Sequence, residues 1–421
     1  MSLVSNLFLI SLYFGVIGIF ASTTSIALHH TFMLVAIVIF FLKRIDTSFS
    51  FKSFFCSRSS IFLWMFSLSI VLSVVANISE IDKPLKWIFK FKYFIFPLLC
   101  LPLLKHLEIS LEKWRYFIYF SLFVLFLANL SGFWGYEYGY NFLKPSGSSS
   151  PHRLSGLNGM VLTYAHNLSF FNILLLGYLI YFKDLSKKIP LNINVCIFMF
   201  LMNCICLYLS STRGAWLSFV FSIPFLYLFR LSFKKWILLF VATLIVFVGS
   251  LKLSNMDKEF IGHKRANSNT QRIAFFISAI KSFSEKPIFG LGYKQFEFNV
   301  LDIKKRHQIE WDNQSGHAHN NFLEHLASLG FFGAIAFVLF SLYWFFESTH
   351  LRSSQRFLVQ GFCAAVAISG LTQYTFGDGE NTVFMMLVWL YTAREILKGR
   401  NKSGGTSWIR TGDRPVMSRE L

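Results

Sequence analysis

The 421-residue chain is 54% hydrophobic and 19% aromatic, carries charge on only 14% of its residues and has a mean hydropathy of +0.52. That excludes an ordinary soluble globular domain, in which roughly 45–50% of residues are apolar and about 25% charged. A net charge of +19 would suggest nucleic acid in a soluble domain, but here the lysines and arginines collect in short loops on one face of successive apolar runs. The positive-inside rule accounts for that, so no nucleic-acid partner is implied.

Apolar stretches of about 17–22 residues recur along most of the chain, each long enough to cross a hydrocarbon core about 30 Å thick. The expectation is an all-α polytopic membrane protein in contact with membrane lipids. No short apolar segment with a small-residue cleavage site opens the chain, so the first run is read as a span that stays. Cys56, Cys100, Cys196, Cys204, Cys206 and Cys363 lie in apolar runs or a basic loop without ligand spacing. Neither a disulfide framework nor a zinc site follows from them.

In chain order, residues 1–42 form two spans around the small polar patch Ala21-Ser22-Thr23-Thr24-Ser25, and Lys43, Arg44, Lys52 and Arg58 then mark the cytoplasmic side. Spans three (61–77) and four (87–104) are joined by Glu80-Ile81-Asp82-Lys83-Pro84, and Lys90 and Lys92 can snorkel to headgroups from the start of span four. Lys105, Lys113 and Arg115 precede span five (116–130). An outer loop over 131–158 follows, with an interfacial cluster of Trp134, Tyr136, Tyr138 and Tyr140, ending in His152-Arg153. Spans six (159–182) and seven (191–209) lead to Ser210-Ser211-Thr212-Arg213-Gly214, and span eight (215–229) returns to Arg230, Lys234 and Lys235.

Span nine (236–251) opens the longest hydrophilic segment, which parity places outside the cytoplasm. Within it Ile273, Phe276, Ile277 and Ile280 recur at i, i+3, i+4, i+7, which predicts an amphipathic helix lying along the membrane or capping the bundle. Lys286-Pro287 stops it, and Phe289-Gly290-Leu291-Gly292-Tyr293 makes the turn. The run from Gly316 to His325 then leads into span ten (326–346). Arg352 and Arg356 lie inside, and span eleven (357–374) reaches the turn Phe376-Gly377-Asp378-Gly379-Glu380-Asn381. Span twelve (382–397) precedes a basic tail read as disordered. The expected architecture is therefore about twelve transmembrane helices with one long outer loop containing amphipathic helices. Its divisions are 1–251 (spans one to nine), 252–325 (loop domain), 326–397 (spans ten to twelve) and 398–421 (tail).

Arginines in outer turns run against the charge bias, which singles out Arg153, Arg213 and Arg272. Each can snorkel to anionic headgroups, but Arg213 is tied to a turn of a few residues, where its fork of donors suits phosphate oxygens. His317 and His319 are two apart, which points them in different directions in a strand and about 200° apart in a helix, so a shared metal is not expected. Asn320 and Asn321 are good caps, and a helix starting there puts His319 at its N-terminal end. That end lowers an imidazole's pKa and attracts anions, a setting for a general base beside a phosphate leaving group. Histidines merely satisfied at an interface are the plainer alternative.

His319-Asn320, then Gly330 and Gly333 at the start of a membrane helix after a long outer loop, resembles the signature of bacterial O-antigen ligases. Ser211-Thr212-Arg213-Gly214-Ala215-Trp216 resembles that family's arginine turn, and Gln271-Arg272 through Pro287-Ile288-Phe289-Gly290-Leu291-Gly292 resembles its loop helix and exit. The resemblance covers residues 153–333 in detail.

It implies a multi-pass protein of the bacterial inner membrane with its active site on the periplasmic side. A glycan would pass from undecaprenyl diphosphate to the lipid A–core oligosaccharide, without metal or other cofactor. The family histidine falls on His319 as base for the acceptor hydroxyl, and the arginines on Arg213 and Arg272 as diphosphate ligands, with Arg153 a third. His317 and Asn320 would support them. The chemistry is coherent with the residue types, because a lipid diphosphate is already activated and the protein need only align substrates and stabilise the leaving group. An O-antigen polymerase of the same superfamily remains an alternative, and a lipid-linked glycan flippase is one from another class. The roles of Glu324, His325 and Asp378 stay open.

Overall fold

The computed structural model describes residues 2–44, 54–143, 153–157, 159–228, 230–253, 263–309 and 314–402, and the elements among them are helical. In order they are α1 (Ser2–Phe20), α2 (Thr23–Arg44), α3 (Arg58–Ala76), α4 (Pro84–Ile88), α5 (Lys92–Leu104), α6 (Leu111–Tyr138), α7 (Val161–Ile180) and α8 (Phe182–Leu185). Then come α9 (Ile193–Leu209), α10 (Arg213–Ser222), α11 (Phe233–Leu253), α12 (His263–Glu285), α13 (Phe296–Arg306), α14 (Asn321–Glu347), α15 (Ser353–Thr372) and α16 (Gly379–Lys402).

Among the described residues, six segments are long and apolar enough to cross a membrane: Ser2–Phe20, Thr23–Lys43, Arg58–Ala76, Pro84–Leu104, Leu111–Tyr138 and Asn321–His350. The other apolar runs are helical too, among them α9 with 17 residues and α11 with 21. α10 gives way after Ser222 to a 3-10 stretch, Ile223–Tyr227, where Pro224 cannot supply an amide hydrogen. Two boundaries differ from expectation. α6 runs on for 28 residues to Tyr138, so Trp134, Tyr136 and Tyr138 are helical, and Gly139 ends it in the left-handed conformation. α16 continues to Lys402, past the expected start of the tail, whose residues 403–421 lie outside those described, as do Lys52 and His152.

Lipid tails are as apolar as leucine, so helices in a membrane associate through close packing of small residues and interhelical hydrogen bonds. Both devices recur. Ser169 Oγ and Ser218 Oγ lie 2.9 Å apart between α7 and α10, and Ser218 Oγ donates to Ala365 O of α15 at 2.8 Å. Between α6, α7 and α9, Asn129 donates to Asn203 and accepts from Tyr164. At one end of α14, Glu347 accepts from Ser59 N at 3.0 Å and Ser59 Oγ at 2.5 Å, and Trp389 Nε1 reaches the same hydroxyl at 3.1 Å. These bonds lock α3, α14 and α16 together away from the histidine stretch.

At the other end of α14 the loop helices carry a small core of their own: Phe275, Ala279, Leu291, Phe296, Val300, Ile303, Ala318 and Ala327. Glu285 clasps Arg306 (Nη2–Oε2 2.7 Å) and His307 (2.7 Å), joining the end of α12 to that of α13. α12 buries Ala274, Phe275, Ser278, Ala279 and Ser282, whereas Ile273, Ile277 and Ile280 are exposed. The isoleucine stripe therefore faces away from the protein, and it is the small residues with Phe275 that seat the helix.

Candidate functional site

The site begins with a broken helix. α14 is interrupted at Gly330 (φ 68°, ψ −164°), which leaves the carbonyls of the preceding turn without their intrahelical donors. The exit of α12 supplies them: Leu291 N donates to Ala327 O at 3.0 Å and Gly292 N to Ser328 O at 3.0 Å, while Phe331 N donates to Pro287 O at 2.8 Å. Backbone lies against backbone here, and a Cβ on Gly290 would sit 2.5 Å from Ser328 C. The Pro-x-x-Gly-x-Gly exit and the glycine after the histidine motif are thus two halves of one joint. Asn77, the C-cap of α3, fastens it, donating to Gly290 O at 3.0 Å and accepting from Lys286 Nζ at 2.7 Å.

This joint positions the first turns of α14. Asn320 is the N-cap, its side chain accepting from Leu323 N at 3.0 Å as its type predicts. Asn321 turns inward, donating to Thr375 Oγ1 at 3.0 Å and accepting from Phe376 N at 3.2 Å. Glu324, 1% exposed, accepts from Ala318 N at 2.8 Å and Ser328 Oγ at 3.1 Å. It therefore holds the backbone midway between His317 and His319 and touches neither imidazole. His325 is buried among Phe66, Phe337 and Tyr374, at ring distances of 4.9, 4.7 and 5.5 Å. Its nitrogens have no hydrogen-bond partner among the described residues.

His317 and His319 do not diverge. His319 sits in the left-handed region (φ 48°), so the segment is neither strand nor helix, and the rings come together with centroids 4.3 Å apart. Gln373, the last residue before the turn between α15 and α16, bridges them. His319 Nδ1 lies 2.8 Å from Gln373 Oε1, and Gln373 Nε2 lies 3.0 Å from His317 Nε2. An amide oxygen only accepts and an amide nitrogen only donates, so this arrangement assigns Nδ1–H to His319 and leaves its Nε2 lone pair as a base. Burial holds the His319 pKa below the ordinary imidazole value, opposed by the Gln373 bond and reinforced by the Arg272 charge. Burial, His319 and Lys294 bring His317 down to about 3. Both rings are neutral at pH 7.

The arginines reach the same place from separate elements. Arg213 is the first residue of α10, after a turn in which Ser211 has φ 50°, and its Nη2 donates to Asn269 Oδ1 of α12 at 3.2 Å. Arg272 stands inside α12, three positions beyond Asn269 on the same face, and its charge acts on His317 and His319. Phe275, one turn on, meets the His319 ring at 5.8 Å. Gly214 packs against Thr372, the neighbour of Gln373, and leaves no room for a side chain. Arg153 takes a different part. Its Nε donates to Ser210 O at 3.0 Å and its Nη2 to Thr212 Oγ1 at 3.0 Å, so it braces the turn that presents Arg213.

Sequence reasoning passed over Gln373, whose only signal is an amide at the end of an apolar run, and gave no role to Lys294. Lys294, at φ 60°, donates through Nζ to Gly377 O. Asp378 follows that carbonyl, its Oδ2 accepting from Thr163 Oγ1 at 3.0 Å, and burial raises its carboxyl to about 6.

A base with its tautomer set, two arginines from different elements and a strained loop pinned by a buried carboxylate suit proton abstraction next to an anionic leaving group. No curated protein matches the chain. Residues 197–338, which contain Arg213, Arg272, His317 and His319, match the family model described as O-antigen ligase, so that this stretch of the chain is similar to the O-antigen ligase family.

Proposed function

We propose that the protein is an O-antigen ligase of the bacterial inner membrane, transferring a glycan from undecaprenyl diphosphate to a hydroxyl of the lipid A–core oligosaccharide at the periplasmic face. The observation that carries this reading is the Gln373 bridge, which leaves His319 Nε2 as an acceptor beside Arg272. His319 takes the proton of the acceptor hydroxyl as its oxygen attacks the anomeric carbon, and the bond from that carbon to the diphosphate oxygen breaks. Arg213 and Arg272 bind the diphosphate and stabilise the charge it gains. Arg153 is assigned to bracing the Arg213 turn, which refines the third diphosphate ligand expected from resemblance. Direct attack inverts the anomeric configuration.

The test is transfer in proteoliposomes holding purified protein, undecaprenyl-diphosphate glycan and lipid A–core. A new glycosidic linkage made by the native protein and lost in His319→Ala is expected. Lipid moving between leaflets with no linkage formed would mean a flippase. A product in which one lipid-linked glycan is extended by another, with lipid A–core left bare, would mean a polymerase.

A further inference from the structure

A second basic cluster lies near the histidine pair, built from residues other than the arginines. Lys90 and Lys92 flank the Tyr93 ring, with ammonium nitrogens 5.8 and 5.9 Å from its centroid. Lys294 arrives from the loop between α12 and α13, and Lys90, Tyr93, Tyr293, Lys294, Gly377 and Thr382 line one crevice. The Lys90 ammonium feels the charges of Lys294, Lys92 and Lys86. Lysines free to snorkel diverge into water, but Lys90 and Lys294 converge on this crevice from two distant segments with Lys92 close by, and the Lys294 ammonium is held by Gly377 O. The acidic groups facing them are Glu380 and Asp378. No ion pair within 4 Å neutralises Lys90, Lys92 or Lys294 among the described residues. α16 also begins at the crevice, with Gly379 packed on the Tyr93 hydroxyl, and directs the positive end of its dipole there.

We propose that this crevice binds a phosphate ester carried by a membrane lipid. The ammonium groups of Lys90 and Lys294 line it and that of Lys92 lies beside them on the Tyr93 ring, supplying point charges for a phosphate that reaches them from the bilayer surface, with the Tyr93 hydroxyl able to donate to it. The crevice is joined to the base through Lys294, whose charge acts on His317. The contacts run from Phe275 to His319, then His317, then Tyr374 at 5.9 Å. An acceptor glycolipid held by its phosphate here would use cations other than the arginines, and donor and acceptor would not compete for one anion site. That identification of the lipid as the acceptor rests on the transferase reading; the phosphate site itself does not.

The experiment reads binding rather than transfer. Native mass spectrometry of the purified full chain measures retention of three lipids: a bisphosphorylated lipid A, the same glycolipid stripped of phosphate, and phosphatidylglycerol. The native protein is expected to retain the phosphorylated glycolipid about tenfold better than the stripped one, in line with losing a charge-assisted contact. Lys90→Gln with Lys92→Gln should abolish that preference, Lys90→Arg should keep it, and the remote Lys187→Gln should leave it unchanged. Phosphatidylglycerol retained with the same lysine dependence would support the phosphate site and assign it to a phospholipid headgroup. Equal retention by the native and double-variant proteins, with the variant's unfolding temperature unchanged, would overturn the proposal. So would a native protein that does not distinguish phosphorylated from stripped glycolipid and does not hold phosphatidylglycerol. Because no transfer is measured, failure here is separate from failure of the transferase reading.

Discussion

At the scale of single residues, the central claim is that Gln373 determines which nitrogen of His319 carries the proton. His319→Ala removes the proposed base and should lower kcat by roughly 10²–10⁴-fold, the usual share of general base catalysis. Gln373→Leu keeps the imidazole but frees its tautomer, so kcat should fall by roughly tenfold to a hundredfold while donor KM changes little. The pH profile separates the two roles. Burial and Arg272 hold the His319 pKa down, so the ring stays neutral below the ordinary imidazole value near 6.5, and the acid limb of kcat/KM should lie below that value. Arg272→Gln removes a lowering influence and should move the limb up; Gln373→Leu removes a raising one and should move it down. An acid limb unmoved by either change would take His319 out of the base role. If Arg213 is the diphosphate ligand proposed, its fork matters more than its charge, because a lysine offers a point charge where a diphosphate presents paired oxygens. Arg213→Lys should cost roughly tenfold or more in kcat/KM, and activity equal to the native protein would reduce Arg213 to an anchor.

At the scale of elements, the joint between the α12 exit and the break in α14 makes the site rigid. A side chain at Gly330 would be strained by its φ of 68° and would press on the backbone of Ile288 and Gly290. Gly330→Ala should therefore destabilise the protein by about 1–3 kcal/mol and lower its unfolding temperature in detergent. A midpoint within error of the native one would show that the joint can relax. The turn after α15 carries a stored cost of another kind. Asp378 is buried with its carboxyl raised to about 6, above its unfolded value near 3.9. The native state then binds its proton more tightly, so this group's contribution to stability falls as pH rises from about 4 to about 6 and stays low above. Asp378→Asn should raise the unfolding temperature above pH 6 and leave it nearly unchanged below pH 4, read by thermal scans across pH. How much of this was legible follows from the kind of signal. The helices, the cap at Asn320 and the stop at Lys286-Pro287 are local chemistry and could be read from the chain. The meeting of His317 with His319 depends on one left-handed residue, and the Gln373 bridge on a contact across more than fifty positions. Neither leaves a local pattern. The isoleucines of α12 left two readings open for a related reason: periodicity reveals an apolar stripe but not whether protein or lipid receives it.

At the scale of the whole molecule, the two ends of the bundle differ in chemistry. One gathers the histidine loop, the Arg213 turn with its Arg153 brace, Gln373, Asp378 and the small core of α12 and α13. At the other, Asp184 accepts from Ser354 Oγ at 3.0 Å, Lys188 feels the charge of Arg352, and Glu347 locks α14 to α3. The short loops at this second end and the helix ends beside them are basic, as at Lys183, Lys187, Lys188, Arg230, Lys234, Lys235, Arg352 and Arg356. Orientation in the membrane is set by that bias in short loops, because lysine and arginine resist translocation while long domains cross largely regardless of charge. The proposed topology therefore puts the basic end in the cytoplasm and the histidine end in the periplasm, where a lipid-linked glycan already flipped across the bilayer would meet its acceptor. A phosphatase or fluorescent reporter inserted at Lys281, on the exposed side of α12, should report the periplasm, and one at Arg352 the cytoplasm. Both reporters on one side would mean an odd number of crossings has been misassigned between them. A cytoplasmic reporter at Lys281 with a periplasmic one at Arg352 would invert the whole assignment, exposing the site to nucleotide-sugar chemistry instead and removing the ground for a lipid diphosphate donor.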